Sequence, residues 1–183
     1  MPRFPWTVAM LVAACAMANA SPDNRQASSP ARRLRILVIH GPNMNLLGRR
    51  EPQIYGTMTL DQINANLDAL AKDLNVDLVK LQTNQESVIV DAFQTHIDDV
   101  NGAIINAAGL SFYSVPIHDV IKAMPFPVIE VHMSNLATRD EIHQHSILTP
   151  AVRGTVMGLG WHSYTTALRA VVEIVREEAA AKK

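Results

Sequence analysis

The chain has 183 residues and a mass of 20.1 kDa, room for one domain with short extensions. Hydrophobic residues make up 48% and charged residues 18%, which excludes a disordered chain, and the single cysteine, Cys15, excludes a disulfide scaffold. Residues 1–35 carry Arg3, Arg25, Arg32, Arg33 and Arg35 against Asp23 alone, so the rest of the chain is mildly acidic, which argues against nucleic-acid binding through a basic face.

Residues 1–20 read as a secretory signal peptide. Arg3 gives a positive start, Trp6 to Met17 is apolar, and Ala18-Asn19-Ala20 supplies a small-residue cleavage site. The apolar run is shorter than the ~20 residues of a membrane span. Two alternatives stay open: a buried N-terminal helix, and a lipoprotein box at Val12-Ala13-Ala14-Cys15 that would lipidate Cys15. The expected location is secreted, in the periplasm. Residues 21–33 hold two prolines and three serines and read as a flexible linker. The folded domain is expected over 34–183.

Leu34 to Ile39 is a β-branched apolar run that ends at His40-Gly41-Pro42, a buried strand and a turn. Leu60, Ile63, Leu67, Leu70 and Leu74 mark one face of a helix, with Thr59 and Gln62 as a capping box. Val76 to Leu81 is a second strand, and Glu86 to Val100 a helix with Ile89, Val90, Phe93 and Ile97 inward. Ala103 to Asn106 is a third strand, and a short helix follows from Ser114 to Ala123. Pro127 to Val131 is a fourth strand, with a capping box expected at Thr138 and Glu141. Gly154 to Met157 is a fifth, and Ser163 to about Ala180 the last helix. Alternating strands and helices call for a parallel sheet covered on both faces. Five strands suit a flavodoxin-like doubly wound α/β fold, three layers α/β/α, with ligands outside the carboxyl ends of the strands.

At those ends stand Asn43, Arg50 and Tyr55 after strand one, Asn106 after strand three, and His132, Met133 and Ser134 after strand four. Neutral donors with a few cations suit a polyhydroxylated, anionic small molecule. The loop after strand one runs about 18 residues, longer than usual for such a connection, and long loops of this kind often act as lids. Tyr55 lies five residues after Arg50. A phenol is a poor base at neutral pH, and a neighbouring guanidinium favours its ionised form. His132, directly after a buried strand, suits a general acid or a substrate donor. His143 and His145 are spaced to point apart on a helical turn, so no metal site is expected. Gly158-Leu159-Gly160 lacks the third glycine of a dinucleotide loop.

These motifs together resemble the type II 3-dehydroquinases. The resemblance runs from Arg35 to Val172 and is carried by four segments: I-H-G-P-N-M-N-L-L-G-R-R-E-P-Q-I-Y-G, I-I-N-A-A-G, V-I-E-V-H-M-S-N and H-S-I-L-T-P-A-V-R-G. It implies a hydro-lyase without a cofactor that removes water from 3-dehydroquinate by anti elimination through an enolate, in a homododecamer of trimers. It implies Tyr55 as the base, Arg50 as its charge partner and His132 as the acid, with Asn43 near the enolate oxygen. Asn106 would bind substrate hydroxyls, the backbone of Met133 and Ser134 the carboxylate, and Asp119 would reach a neighbouring subunit's site. No nucleic-acid or membrane partner is expected, unless Cys15 is lipidated.

Two positions depart from the family pattern. Phe112 stands where a substrate-binding histidine is usual, and His143 where an arginine is usual. Each lost polar contact costs about 1–3 kcal/mol. The expected function is 3-dehydroquinate dehydration, exported and serving quinate or shikimate catabolism. A related lyase on another cyclic hydroxy-acid and a non-catalytic binding protein of the same fold are the alternatives.

Overall fold

The computed structural model describes residues 33–182. The expected signal peptide, Cys15 and the expected linker up to residue 32 lie outside the described residues. Five strands form one sheet: β1 Leu34–His40, β2 Val76–Gln82, β3 Gly102–Asn106, β4 Val128–His132 and β5 Gly154–Met157. All pairs are parallel, in the order β2-β1-β3-β4-β5. Among the described residues the α-helices are α1 Pro52–Tyr55, α2 Leu60–Asp73, α3 Glu86–Thr95, α4 Val115–Ala123 and α5 His162–Ala181.

Strand periodicity divides the core in two. Ile36 and Val38 pack with α2 and α5, while Leu37 and Ile39 pack with α3 and α4. This is the expected three-layer, flavodoxin-like α/β/α fold. The strands read as continuous apolar runs because both faces are covered. The order reverses between β1 and β3, so the crevice of a doubly wound sheet opens there. Register brings His40 beside Asn106 at that point. Gly41 permits the close approach: a Cβ there would lie 2.5 Å from the Ala107 carbonyl oxygen.

The Thr59–Gln62 capping box forms, with bonds of 2.9 and 3.3 Å. Two boundaries differ from expectation. Helix α3 ends at Thr95 rather than Val100. His96 and Arg35 both bond Asp99, and this polar turn leaves the helix before Val100 is buried. The capping box at Thr138 is absent. Asn135 accepts instead from the Ala137 N–H at 3.1 Å and starts a turn at Leu136–Thr138, while the Thr138 hydroxyl donates back to the Asn135 carbonyl.

Candidate active site

A cleft of about 180 Å³ opens at the carboxyl ends of β1, β3 and β4. Its walls include Asn43, Arg50, Tyr55, Asn106, Phe112, His132, Met133, Ser134, Arg139 and His143, with Leu47 and Leu136 among the apolar residues. Seven of the eight site residues expected from sequence therefore meet in one place. The eighth, Asp119, lies on the exposed side of α4, bonded by His118 at 2.9 Å, and is not part of this cleft.

His132 ends β4 and is 5% exposed. Its Nε2 donates to Glu130 Oε1 at 2.9 Å. Two residues apart on one strand, the pair shares a face of the sheet. Glu130 is fully buried and also accepts from Ser146 at 2.5 Å, Thr149 at 2.7 Å and Thr155 at 3.4 Å. Burial pushes its carboxyl up, but the His132 bond and charge, with Ser146 and Thr149, outweigh this and hold it below the usual range. An ionised Glu130 thus sits behind His132, fixes the ring's orientation and supplies the counter-charge for an imidazolium.

Tyr55 sits on α1, a four-residue helix inside the long loop. The Arg139 guanidinium donates to its hydroxyl at 3.2 Å and to Ser134 Oγ at 3.1 Å. Arg50 lies over the face of the Tyr55 ring, 4.9 Å from its centre, while bonding Glu51 at 2.7 and 3.1 Å. Two cations thus lie against the phenol, Arg139 at the oxygen and Arg50 across the ring face. Arg50 is therefore near Tyr55 as its spacing suggests, but the guanidinium at the oxygen belongs to Arg139.

Asn43 enters a turn in the left-handed region, φ 64°. Its backbone N–H bonds Asn84 Oδ1 at 3.0 Å. Asn106 is 4% exposed, and its Oδ1 accepts from the Ala108 N–H at 3.1 Å. Phe112 stands between two imidazoles, 6.4 Å from the His132 ring and 5.1 Å edge-on to that of His143. His143 bonds Asp140. Among the described residues no three His, Cys, Asp or Glu side chains converge as a metal site.

Glu130 and Arg139 are the site residues missing from the sequence reading. Glu130 had a signal, a carboxylate inside the apolar run PVIEV two residues before His132. Arg139 had none, because only the turns after β4 bring it to Tyr55.

Residues 34–172 match the family model described as dehydroquinase class II. The chain is 40% identical over 143 residues to 3-dehydroquinate dehydratase from Halothermothrix orenii, covering 78% of this chain and 97% of that one. It is 42% identical over 144 residues to the enzyme of the same name from Geotalea daltonii, covering 79% and 100%. Among solved structures, type II dehydroquinase from Propionibacterium acnes superposes with a TM-score of 0.74 at 39% identity, covering 78% of this chain and 99% of that one. That from Butyrivibrio crossotus superposes with a TM-score of 0.75 at 32% identity, covering 76% and 97%.

Proposed function

The chain belongs to the class II dehydroquinase family, a hydro-lyase acting on a cyclic hydroxy-acid, and from that premise we propose that its substrate is 3-dehydroquinate. The observation that carries the proposal is the pairing of a phenol held by two guanidiniums with an imidazole held by a buried carboxylate in one cleft. In this reading Tyr55, as phenolate, takes the proton on the carbon next to the ketone. The C–H electron pair moves into the enolate, and Arg50 and Arg139 balance the charge at the base. Asn43 serves the enolate oxygen through a water. His132 gives its proton to the departing hydroxyl as the C–O bond breaks and the C=C bond forms, so one water leaves. Asn106 holds substrate hydroxyls, and Met133 and Ser134 hold the carboxylate.

The reading extends to a homododecamer of trimers in which Asp119 of each subunit serves its neighbour's cleft. Its exposure on α4 supports this. Export to the periplasm for quinate or shikimate catabolism belongs to the same reading and is supported by residues 1–20. The second reading, a related lyase on another cyclic hydroxy-acid, is favoured by one observation, the Phe112 ring between His132 and His143.

The test is ultraviolet absorbance of the conjugated enone product on a panel of cyclic hydroxy-acids. Highest kcat/KM on 3-dehydroquinate is expected. A better substrate elsewhere in the panel would move the assignment to the second reading.

A further inference from the structure

A protonated Glu130–His132 pair can hold its proton at either end, and only one end leaves an imidazolium in the cleft. Glu130 has no exposed surface, and burial, the largest influence on it, favours the neutral acid. The His132 bond and charge, then Ser146 and Thr149, oppose this. A carboxylate has two oxygens and about four acceptor sites. On Oε1 stand His132 Nε2 and Ser146 Oγ. On Oε2 stand Thr149 Oγ1 and, at 3.4 Å, Thr155 Oγ1. Donors take all four sites, so a proton can settle on Glu130 only by displacing one of them.

These hydroxyls are themselves held in place. Ser146 Oγ accepts from the Leu148 N–H at 3.1 Å, and the Ser111 carbonyl oxygen lies 3.2 Å away. Its single hydrogen goes to the nearer, charged acceptor, Glu130. Thr149 opens the short turn Thr149–Ala151 before β5. Thr155 is paired with Glu130 in register across β4 and β5. None of the three lines the cleft, so they reach the chemistry through Glu130.

We infer that Ser146 and Thr149, with Thr155 as a weaker third, are positioning residues that hold the proton of the Glu130–His132 pair on the imidazole. The inference rests on the reading of His132 as the acid. With Glu130 ionised, Nε2 keeps its hydrogen and Nδ1 gives its own to the departing hydroxyl. The N–H electron pair stays on the ring, and the neutral imidazole still donates to Glu130. With the proton on Glu130 instead, the ring is neutral and a far weaker acid.

The first test reads kcat and KM separately in the full chain. Thr149→Val exchanges one hydroxyl for a methyl of similar size. It is expected to lower kcat about 10-fold on 3-dehydroquinate, with KM near that of the wild type. Thr149→Ser keeps the hydroxyl and is expected to restore kcat. Arg50, Tyr55, Arg139 and His143, the other ionisable side chains at the cleft, are the same in every variant. An unchanged kcat in Thr149→Val, or an equal loss in Thr149→Ser, overturns the inference. Should Thr149→Val fail to fold, Thr155→Val puts a good strand former on β5. Its expected loss in kcat is smaller, about 3-fold, and no loss overturns the inference.

A second readout needs no substrate. Carbon-13 NMR of the Glu130 carboxyl and nitrogen-15 NMR of the His132 ring follow the proton as the pair takes it up. In the wild type the carboxyl carbon is expected to stay at its ionised position while both ring nitrogens carry hydrogen. In Thr149→Val the carbon is expected to move toward the acid position, and one ring nitrogen to lose its hydrogen. A variant that only melts at a lower temperature, with the proton where it was, overturns the inference. A wild-type chain inert toward 3-dehydroquinate counts against the substrate assignment alone, and the spectra then decide the positioning role.

Discussion

His132 stands at the end of a central strand, 5% exposed, and its carboxylate partner Glu130 has no exposed surface. Tyr55 stands on a four-residue helix within a long loop, held by guanidiniums from two other segments. The proposed acid end is built into the core, its ring held by the Glu130 carboxylate on the same strand. The proposed base end is assembled on top of the sheet from loops. One cleft thus joins a half built into the sheet to a half carried on a long loop, the kind of segment from which lids are drawn. The difference makes stability and activity separable at one end and inseparable at the other.

The largest effect is expected at the base end. Tyr55→Phe should lower kcat by about 10³–10⁴-fold, the range of a lost general base, while the melting temperature stays near that of the wild type. At the acid end the two readouts should fall together. Glu130→Gln removes the counter-charge of His132 and mismatches three hydroxyl donors. A loss of about 10²-fold in kcat is expected, with about 3 kcal/mol of stability, read by urea titration. If Glu130→Gln kept full stability, the contrast between the two ends would collapse.

The buried half should also be acid-sensitive, through His40. Its folded value of about 4 lies below the unfolded 6.5, so below pH 6.5 the unfolded chain binds the proton first. The stability this represents is present above pH 6.5 and is lost as pH falls toward 4, by about 3 kcal/mol. Urea titrations at pH 7 and 4.5 should show most of that loss, and His40→Asn should flatten it. Glu130, held below the usual carboxylate range, adds its own loss at lower pH as it protonates. The smallest effect is expected at the wall between the two ends. Phe112→His should raise kcat/KM on 3-dehydroquinate by about 10-fold if the aromatic ring only displaces a polar contact. A fall would mean the cleft is shaped for another hydroxy-acid.

The fold was legible because its signals are local. Apolar runs bounded by turns marked all five strands, and the Thr59–Gln62 box marked the start of α2. Helix α3 was overextended because Ile97 and Val100 continue an apolar pattern. The polar knot of His96, Asp99 and Arg35 that ends the helix spans 64 residues of sequence. The cleft residues were legible because the carboxyl ends of parallel strands converge. Arg139 was not, since its place at Tyr55 bridges 84 residues. Tyr164 was not, because its hydroxyl lies inside the core beside His40, reached from the last helix.

The division of labour between the two ends is tested most directly by proton exchange. Each variant is incubated with 3-dehydroquinate in deuterium oxide, and deuterium at the carbon next to the ketone is followed by NMR alongside product formation. His132→Ala should exchange that proton faster than it eliminates water, because Tyr55 still forms the enolate while the hydroxyl lacks its proton donor. Tyr55→Phe should do neither. Exchange that persists in Tyr55→Phe, or that is lost in His132→Ala, would contradict the assignment of base and acid.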